Sequence, residues 1–111
     1  MINENVEYNS VEDILYIYGK QEPTPVKGSL ILDNLSFDIS PSGELVGMQI
    51  DNASKFFSVP PKILEESSKA KIEIITRGQT IIIGWAINLG NTISRNQFVF
   101  PKNKIALNCN G

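Results

Sequence analysis

A strict alternation of apolar and polar residues constrains the fold of this chain more than any other feature. Leu35–Ile39 alternates with a period of two, which places its apolar side chains on one face of a strand. Pro41, Ser42 and Gly43 then supply turn chemistry, because proline fixes φ and glycine accepts a positive φ. The next segment runs back with one apolar face, made of Val46, Met48 and Ile50. The pattern therefore predicts an antiparallel hairpin.

The rest of the chain indicates further strands and one short helix. Residues 14–18, 29–33, 71–76, 80–89, 98–100 and 105–107 are rich in β-branched and aromatic side chains between turn residues. Residues 60–67 favour a helix, since proline is tolerated in a first turn, and Ser58 is a candidate cap nearby. The 111-residue chain is therefore predicted to be a single α+β domain over residues 1–111, with six to eight mainly antiparallel strands.

The strand over residues 80–89 has two different faces. Its larger side chains share one face, and we interpret Trp85 there as part of the core. An open apolar face would instead be a partner site. The opposite face carries Ile82, Gly84 and Ala86, and its small glycine and alanine predict close approach of the short helix.

Charge is divided unevenly along the chain, although the net charge is only −2. Residues 1–54 contain nine acids and two bases, a charge of −7, whereas residues 55–111 contain eight bases and three acids, a charge of +5. Two interpretations stay open. The halves pack together and mix their charges on one surface, or the surface is dipolar and attracts a charged partner or a second copy.

The residue types needed for most bond-making chemistry are scarce. The chain has no histidine and one cysteine, Cys109, so a tetrahedral zinc site has no ligand set and a thiol or serine nucleophile has no histidine base. Ser68 and Lys69 match no catalytic spacing. The glycines at 78, 84 and 90 form no phosphate-binding motif.

The carboxylates do not form a convincing site either. Oxygen ligands for a hard cation are available in two places, at Asp33, Asn34 and Asp38, and at Asp51 and Asn52, but no calcium-loop pattern surrounds them. Two adjacent pairs do not converge, namely Glu12 with Asp13 and Glu65 with Glu66. We expect Asp13 to bond backbone N–H groups at a turn. The sequence thus predicts no catalytic residue, no metal site and no cofactor, and a protein that is not an enzyme.

Several observations indicate a cytoplasmic protein. No apolar run reaches the ~20 residues that a membrane helix requires. The first five residues contain neither a base nor an apolar stretch, so we expect no signal peptide. A lone cysteine fits a reducing compartment.

The stretch that begins at Tyr8 and ends at Leu64 resembles the family known as domain of unknown function 2283. The resemblance rests on five features: Tyr8 with the polar turn to Asp13, the strand Ile14–Ile17, the strand Leu30–Asp33, the segment from Gly43 to Ile50, and the pair Ala53 and Ser54. It implies a small prokaryotic α+β domain with a curved antiparallel sheet and no established enzyme activity. It also implies, for some members, an antitoxin-like role in protein binding.

We therefore expect a non-enzymatic protein-interaction or homodimerisation module whose sheet edges make the contact. A small-molecule site between the helix and the Ile82 face is one alternative. Nucleic-acid binding is another, disfavoured by a pI of about 5.0. It would use the basic second half and two aromatic residues: Lys69, Lys71, Arg77, Arg95, Lys102, Lys104, Phe98 and Phe100.

Overall fold

A computed structural model describes residues 5–20, 24–67 and 69–101, which form eight antiparallel strands and two short helices. The elements follow one another along the chain as β1 (Val6–Asn9), β2 (Ile14–Tyr18), β3 (Gly28–Leu32), β4 (Leu35–Ile39), β5 (Leu45–Asp51), α1 (Ala53–Phe57), α2 (Pro61–Glu65), β6 (Ala70–Arg77), β7 (Thr80–Leu89) and β8 (Thr92–Pro101). The predicted α+β class and the antiparallel strands are confirmed.

The strands form two sheets that follow the two halves of the chain. The N-terminal sheet has the order β1-β2-β5-β4-β3, and the C-terminal sheet is the meander β6-β7-β8. No strand of one half enters the sheet of the other, so the acidic and basic halves occupy different sheets. Of the two interpretations of the charge distribution, a dipolar arrangement fits the strands better than charges mixed on one surface.

The predicted hairpin is β4 and β5, joined by a turn in which Gly43 has φ 88°. The register shifts between Asp38 and Ile39, so that Ile39 lies opposite Leu45. This irregularity adds Leu45 to the buried set that was predicted as Val46, Met48 and Ile50.

One hydrophobic cluster is shared by the two sheets. Phe37 of β4 is fully buried, and its ring centroid lies 6.2 Å from that of Phe98 and 6.4 Å from that of Phe100, both in β8. Trp85 is 4% exposed, as expected for a core residue, and it packs beside Phe56 of α1. The inward faces of both sheets therefore form the core, and each helix adds one fully buried residue to it, Ala53 from α1 and Leu64 from α2.

Four details of the secondary structure were not predicted correctly. The strand predicted over residues 98–100 is β8, which begins six residues earlier, at Thr92. Strand β1, with four residues, and helix α1, with five, were not predicted. Ser58 does not cap α2. It ends α1 with a left-handed φ of 58°, and the residue before α2 is Pro60. The predicted strand over residues 105–107 lies outside the described residues.

The prediction that the helix covers the face of Ile82, Gly84 and Ala86 was wrong. These residues point away from the core, and the atoms nearest a Cβ at Gly84 would belong to Asn96 and Gln97 of β8. The helices pack on the other side because their apolar residues join the shared core. The predicted small-molecule site between helix and sheet is therefore not formed.

Neither helix in the described ranges has the length and apolar character needed to cross a bilayer.

Candidate functional site

The carboxylate of Asp13 connects three separate parts of the chain. One oxygen accepts the Tyr8 hydroxyl at 2.6 Å and the Ser54 backbone N–H at 3.0 Å, and the other accepts the Ser54 hydroxyl at 2.7 Å. The backbone carbonyl of Asp13 also accepts the Ala53 N–H. Asp13 has a left-handed φ of 56°, which directs it from the β1–β2 turn towards the start of α1. Four residues of the family resemblance, Tyr8, Asp13, Ala53 and Ser54, thus form a structural cluster.

The hydrogen bonds of this cluster shift two pKa values in opposite directions. The bond from Tyr8, supported by those from Ser54, lowers the pKa of Asp13 against the opposing effect of partial burial. Burial, followed by the bond to Asp13, raises the pKa of Tyr8 to about 12. The cluster therefore favours a charged carboxylate beside a neutral phenol.

We expect Asp13→Asn and Tyr8→Phe to alter stability at opposite ends of the pH range. A lowered folded-state pKa stabilises the fold above the ordinary aspartate pKa of about 3.9, and that contribution is lost as pH falls through the lowered value. A raised tyrosine pKa stabilises the fold below pH ~10, and that contribution is lost as pH rises through about 12. Each variant should cost about 1 kcal/mol at neutral pH, because solvent weakens bonds at this partly exposed site.

Unfolding by urea should be monitored through tryptophan fluorescence at a series of pH values. The deficit of Asp13→Asn should shrink in acid, and that of Tyr8→Phe should shrink in alkali. Glu12→Gln changes an exposed neighbouring acid and is the matched control, with no comparable deficit. Deficits that stay constant with pH would contradict the assignment.

A second polar cluster lies on the outward face of the N-terminal sheet. The Asp38 carboxylate accepts the Tyr16 hydroxyl and the Ser29 hydroxyl, each at 2.8 Å. Burial, followed by the bond to Asp38, raises the pKa of Tyr16. The Tyr16 ring covers Gly47, where an added Cβ would overlap the phenol. The cluster joins β2, β4 and β3 across the sheet.

The outward faces of the two sheets differ in charge. By the strand registers, the outward positions of the N-terminal sheet within the described residues carry Glu7, Asp38 and Asp51 and no base. The outward positions of the C-terminal sheet carry three bases, Lys71, Arg77 and Arg95, and one acid, Glu73. Three of the eight bases of the second half therefore share one sheet face, whereas Lys55 and Lys62 lie on the two helices.

A groove of about 640 Å³ lies where the end of β2 meets the start of β6. Its lining consists of Asn5, Tyr18, Gly19, Lys69, Ala70, Lys71, Ala86, Asn88, Ile93 and Arg95. These residues include three cations and no acid. The groove thus joins the basic face of one sheet to the last residues of a strand in the other.

The carboxamide of Asn5 holds this junction together. Its nitrogen donates to the Tyr18 carbonyl at 3.1 Å and to the Ala70 carbonyl at 2.6 Å, while its oxygen accepts the Ala70 N–H at 2.9 Å. A Cβ on Gly19 would lie 2.6 Å from the Leu45 carbonyl oxygen, so the close approach there requires glycine. One wall of the groove is therefore fixed by the hydrogen bonds of the Asn5 side chain and by the close backbone approach at Gly19.

The candidate residues of the sequence analysis do not come together as a catalytic centre. Asp51 accepts the Gln49 side chain, and Asp38 accepts two hydroxyls, so both carboxylates have partners inside the fold. Within the described ranges, no three acidic or thiol side chains are grouped so that they could hold a metal ion. Cys109, Lys102 and Lys104 lie outside those ranges.

Asp13 accepts a backbone N–H, as predicted, but from Ser54 rather than from its own turn. Within that turn the side chain of Asn9 takes the role, accepting the N–H groups of Val11 and Glu12. Phe98 and Phe100 face the core and contact Phe37, so they are not stacking groups on the basic face.

The sequence analysis missed the groove and the Tyr16–Asp38 cluster. The unequal charge of the two halves was the one signal for the groove. For the cluster, Gly47 in the middle of a predicted strand was a signal that another group approaches closely.

A comparison with known protein families finds a match in the N-terminal half of the chain. Residues 5–54 match the model of a protein of unknown function, DUF2283. The match is partial, and it overlaps the predicted stretch from Tyr8 but ends before α2. The matched segment comprises the N-terminal sheet and the start of α1, and the C-terminal sheet lies outside it. No curated protein and no solved structure matches the chain.

Proposed function

We propose that this chain is a non-enzymatic protein-interaction module and that β8 is the strand through which it pairs with a second copy. The observation that carries the proposal is the free edge of β8. This strand has ten residues and pairs along its length with β7, and no other strand within residues 5–20, 24–67 and 69–101 pairs with it.

The other three sheet edges are shorter or partly occupied. Helix α2 packs against β1, and β3 has only five residues. The first residue of β6 already has its N–H and carbonyl bonded to Asn5. An unpaired strand presents a row of N–H and C=O groups that another chain can match, so β8 offers the longest such row.

The side chains of β8 add apolar surface to this edge. Ile93 is 52% exposed and Val99 is 59% exposed, and Val99 lies beside Ile82 and Ile75 in one cross-strand row. Antiparallel pairing of two β8 strands about a two-fold axis would join two three-stranded sheets into one of six strands. Burial of the apolar row would then add to the backbone hydrogen bonds.

An antitoxin-like role, which the family resemblance implies, would use the same edge with a different small protein as the partner. The absence of histidine and the dispersed carboxylates support a binding role over catalysis. We also propose a cytoplasmic location, because a single cysteine fits a reducing compartment.

We expect Val99→Lys to weaken self-association by at least about tenfold, because edge lysines oppose strand pairing and the variant places like charges together. Molar mass should be measured by sedimentation across a wide range of protein concentrations. Ile31→Lys is the matched control, since Ile31 is 72% exposed but lies on β3 of the other sheet.

The second measurement is capture from native extract by each variant. A partner retained by the wild type and Ile31→Lys but lost by Val99→Lys would support a heterologous form of the interaction. A wild type that remains monomeric at every concentration and captures nothing would overturn the proposal.

A further inference from the structure

The groove between the two sheets has the features of a ligand site that is separate from edge pairing. Its volume of about 640 Å³ falls within the range of ~300–1,000 Å³ that is usual for small-molecule pockets. It contains residues of both sheets, and its wall is fixed by the Asn5 bonds. A fixed concave surface costs little ordering when a ligand binds.

Charge indicates the first chemical requirement of the ligand. Lys69, Lys71 and Arg95 line the groove without an acid among the lining residues. The one ion pair among the described residues joins Lys20 to Glu44 and involves none of the three cations. The three cations therefore remain available, and lysine and arginine together favour a phosphate or a similar compact anion.

The spacing of two of these cations leaves a place for that anion. Lys71, Ala86 and Arg95 are paired residues in one row across three strands. Neighbouring strands lie about 4.8 Å apart, so the Cα atoms of the two cations are about 10 Å apart with only a methyl group between them. An anion above Ala86 can then contact both side chains.

The opposite wall indicates the second requirement. The Tyr18 ring is 42% exposed and its hydroxyl donates to Glu7 at 2.6 Å, which restrains the ring. On the wall formed by the C-terminal sheet, Ile93 of β8 adds an exposed apolar side chain, and Asn88 of β7 carries an exposed carboxamide. The Asn88 side chain has no hydrogen bond to another described residue. Aromatic and apolar surface beside an amide suits a planar heteroaromatic ring.

We propose that this groove binds a phosphorylated small molecule with an aromatic base, of mononucleotide size. The phosphate lies between Lys71 and Arg95, near Lys69, and the base lies against Tyr18 and Ile93. A long nucleic acid is a poorer fit, because the net charge is −2 and the outward strand positions of the N-terminal sheet carry three acids and no base.

The test is calorimetric titration of the full chain with adenosine 5′-monophosphate, adenosine and inorganic phosphate. The monophosphate should bind at least about tenfold more tightly than adenosine. The double variant Lys71→Ala with Arg95→Ala should remove that advantage. A double variant with Lys62→Ala and Arg77→Ala removes the same charge elsewhere and should bind like the wild type.

Two single variants test the groove without changing its charge. Ala86→Leu fills the floor and should weaken the monophosphate at least about tenfold. Tyr18→Leu should weaken adenosine and the monophosphate by the same factor. Val99→Lys should bind like the wild type, which separates this proposal from β8 pairing. Far-ultraviolet circular dichroism confirms that each variant is folded.

The proposal is overturned by any of three results. The monophosphate binds no better than adenosine, or the control double variant loses as much affinity as the groove variant. The third result is that a single-stranded oligoadenylate binds far more tightly than the monophosphate, which would indicate a site for a polymer.

Discussion

Phe37→Ala is expected to lower the free energy of unfolding by about 3–5 kcal/mol, the usual cost of removing a fully buried phenylalanine. Phe37 lies in the N-terminal sheet, but its ring contacts Phe98 and Phe100 in the C-terminal sheet. Its loss would leave a cavity between the sheets rather than within one of them. The effect should therefore reach both halves of the fold.

Two probes distinguish a shared core from two independent sheets. The only tryptophan, Trp85, reports on the C-terminal sheet by fluorescence, whereas circular dichroism reports on all strands. Both transitions should stay coincident in urea and shift together in Phe37→Ala. Phe37→Leu is the control and should cost below about 1.5 kcal/mol. A circular dichroism midpoint that shifts while the Trp85 midpoint does not would contradict a single cooperative domain.

Most strands could be predicted because their signals are local. The alternation over Leu35–Ile39 and the turn at Gly43 fix the hairpin within sixteen residues, and Thr80–Leu89 was predicted with the bounds that the structure has. The bulge at Asp38 could not be predicted, since it depends on the pairing with β5. Local periodicity determines a strand, whereas its irregularities arise from its neighbours.

The candidate sites could not be derived from local patterns. Asp13 and Ser54 are 41 positions apart, and only the fold brings them to hydrogen-bonding distance. Tyr18 and Arg95 line one groove from different sheets. The stripe of Gly84 and Ala86 was interpreted as a sign that the helix approaches closely, but the structure leaves that face open and places the helices elsewhere. Small side chains indicate space and do not identify what occupies it.

Gly47→Ala is expected to lower the free energy of unfolding by about 2–4 kcal/mol. An added methyl would overlap the Tyr16 phenol, so the ring must move, at a usual cost of about 1–3 kcal/mol for overpacking. Movement of the ring also removes the hydrogen bond from Tyr16 to Asp38, a bond to a charged group. The two costs act together because one side chain is responsible for both.

A double-mutant cycle tests whether Tyr16 is that side chain. In a Tyr16→Ala background, Gly47→Ala should cost below about 1 kcal/mol, since the overlapping ring is absent. Gly84→Ala is the matched control in the other sheet, because its Cβ would lie 3.7 Å from the Asn96 carbonyl oxygen and 3.8 Å from Gln97 Cβ. That contact is ordinary, and reduced freedom of the unfolded chain should make the change neutral or stabilising. An equal cost for Gly47→Ala with and without Tyr16 would show that the strand backbone, rather than the tyrosine, requires glycine.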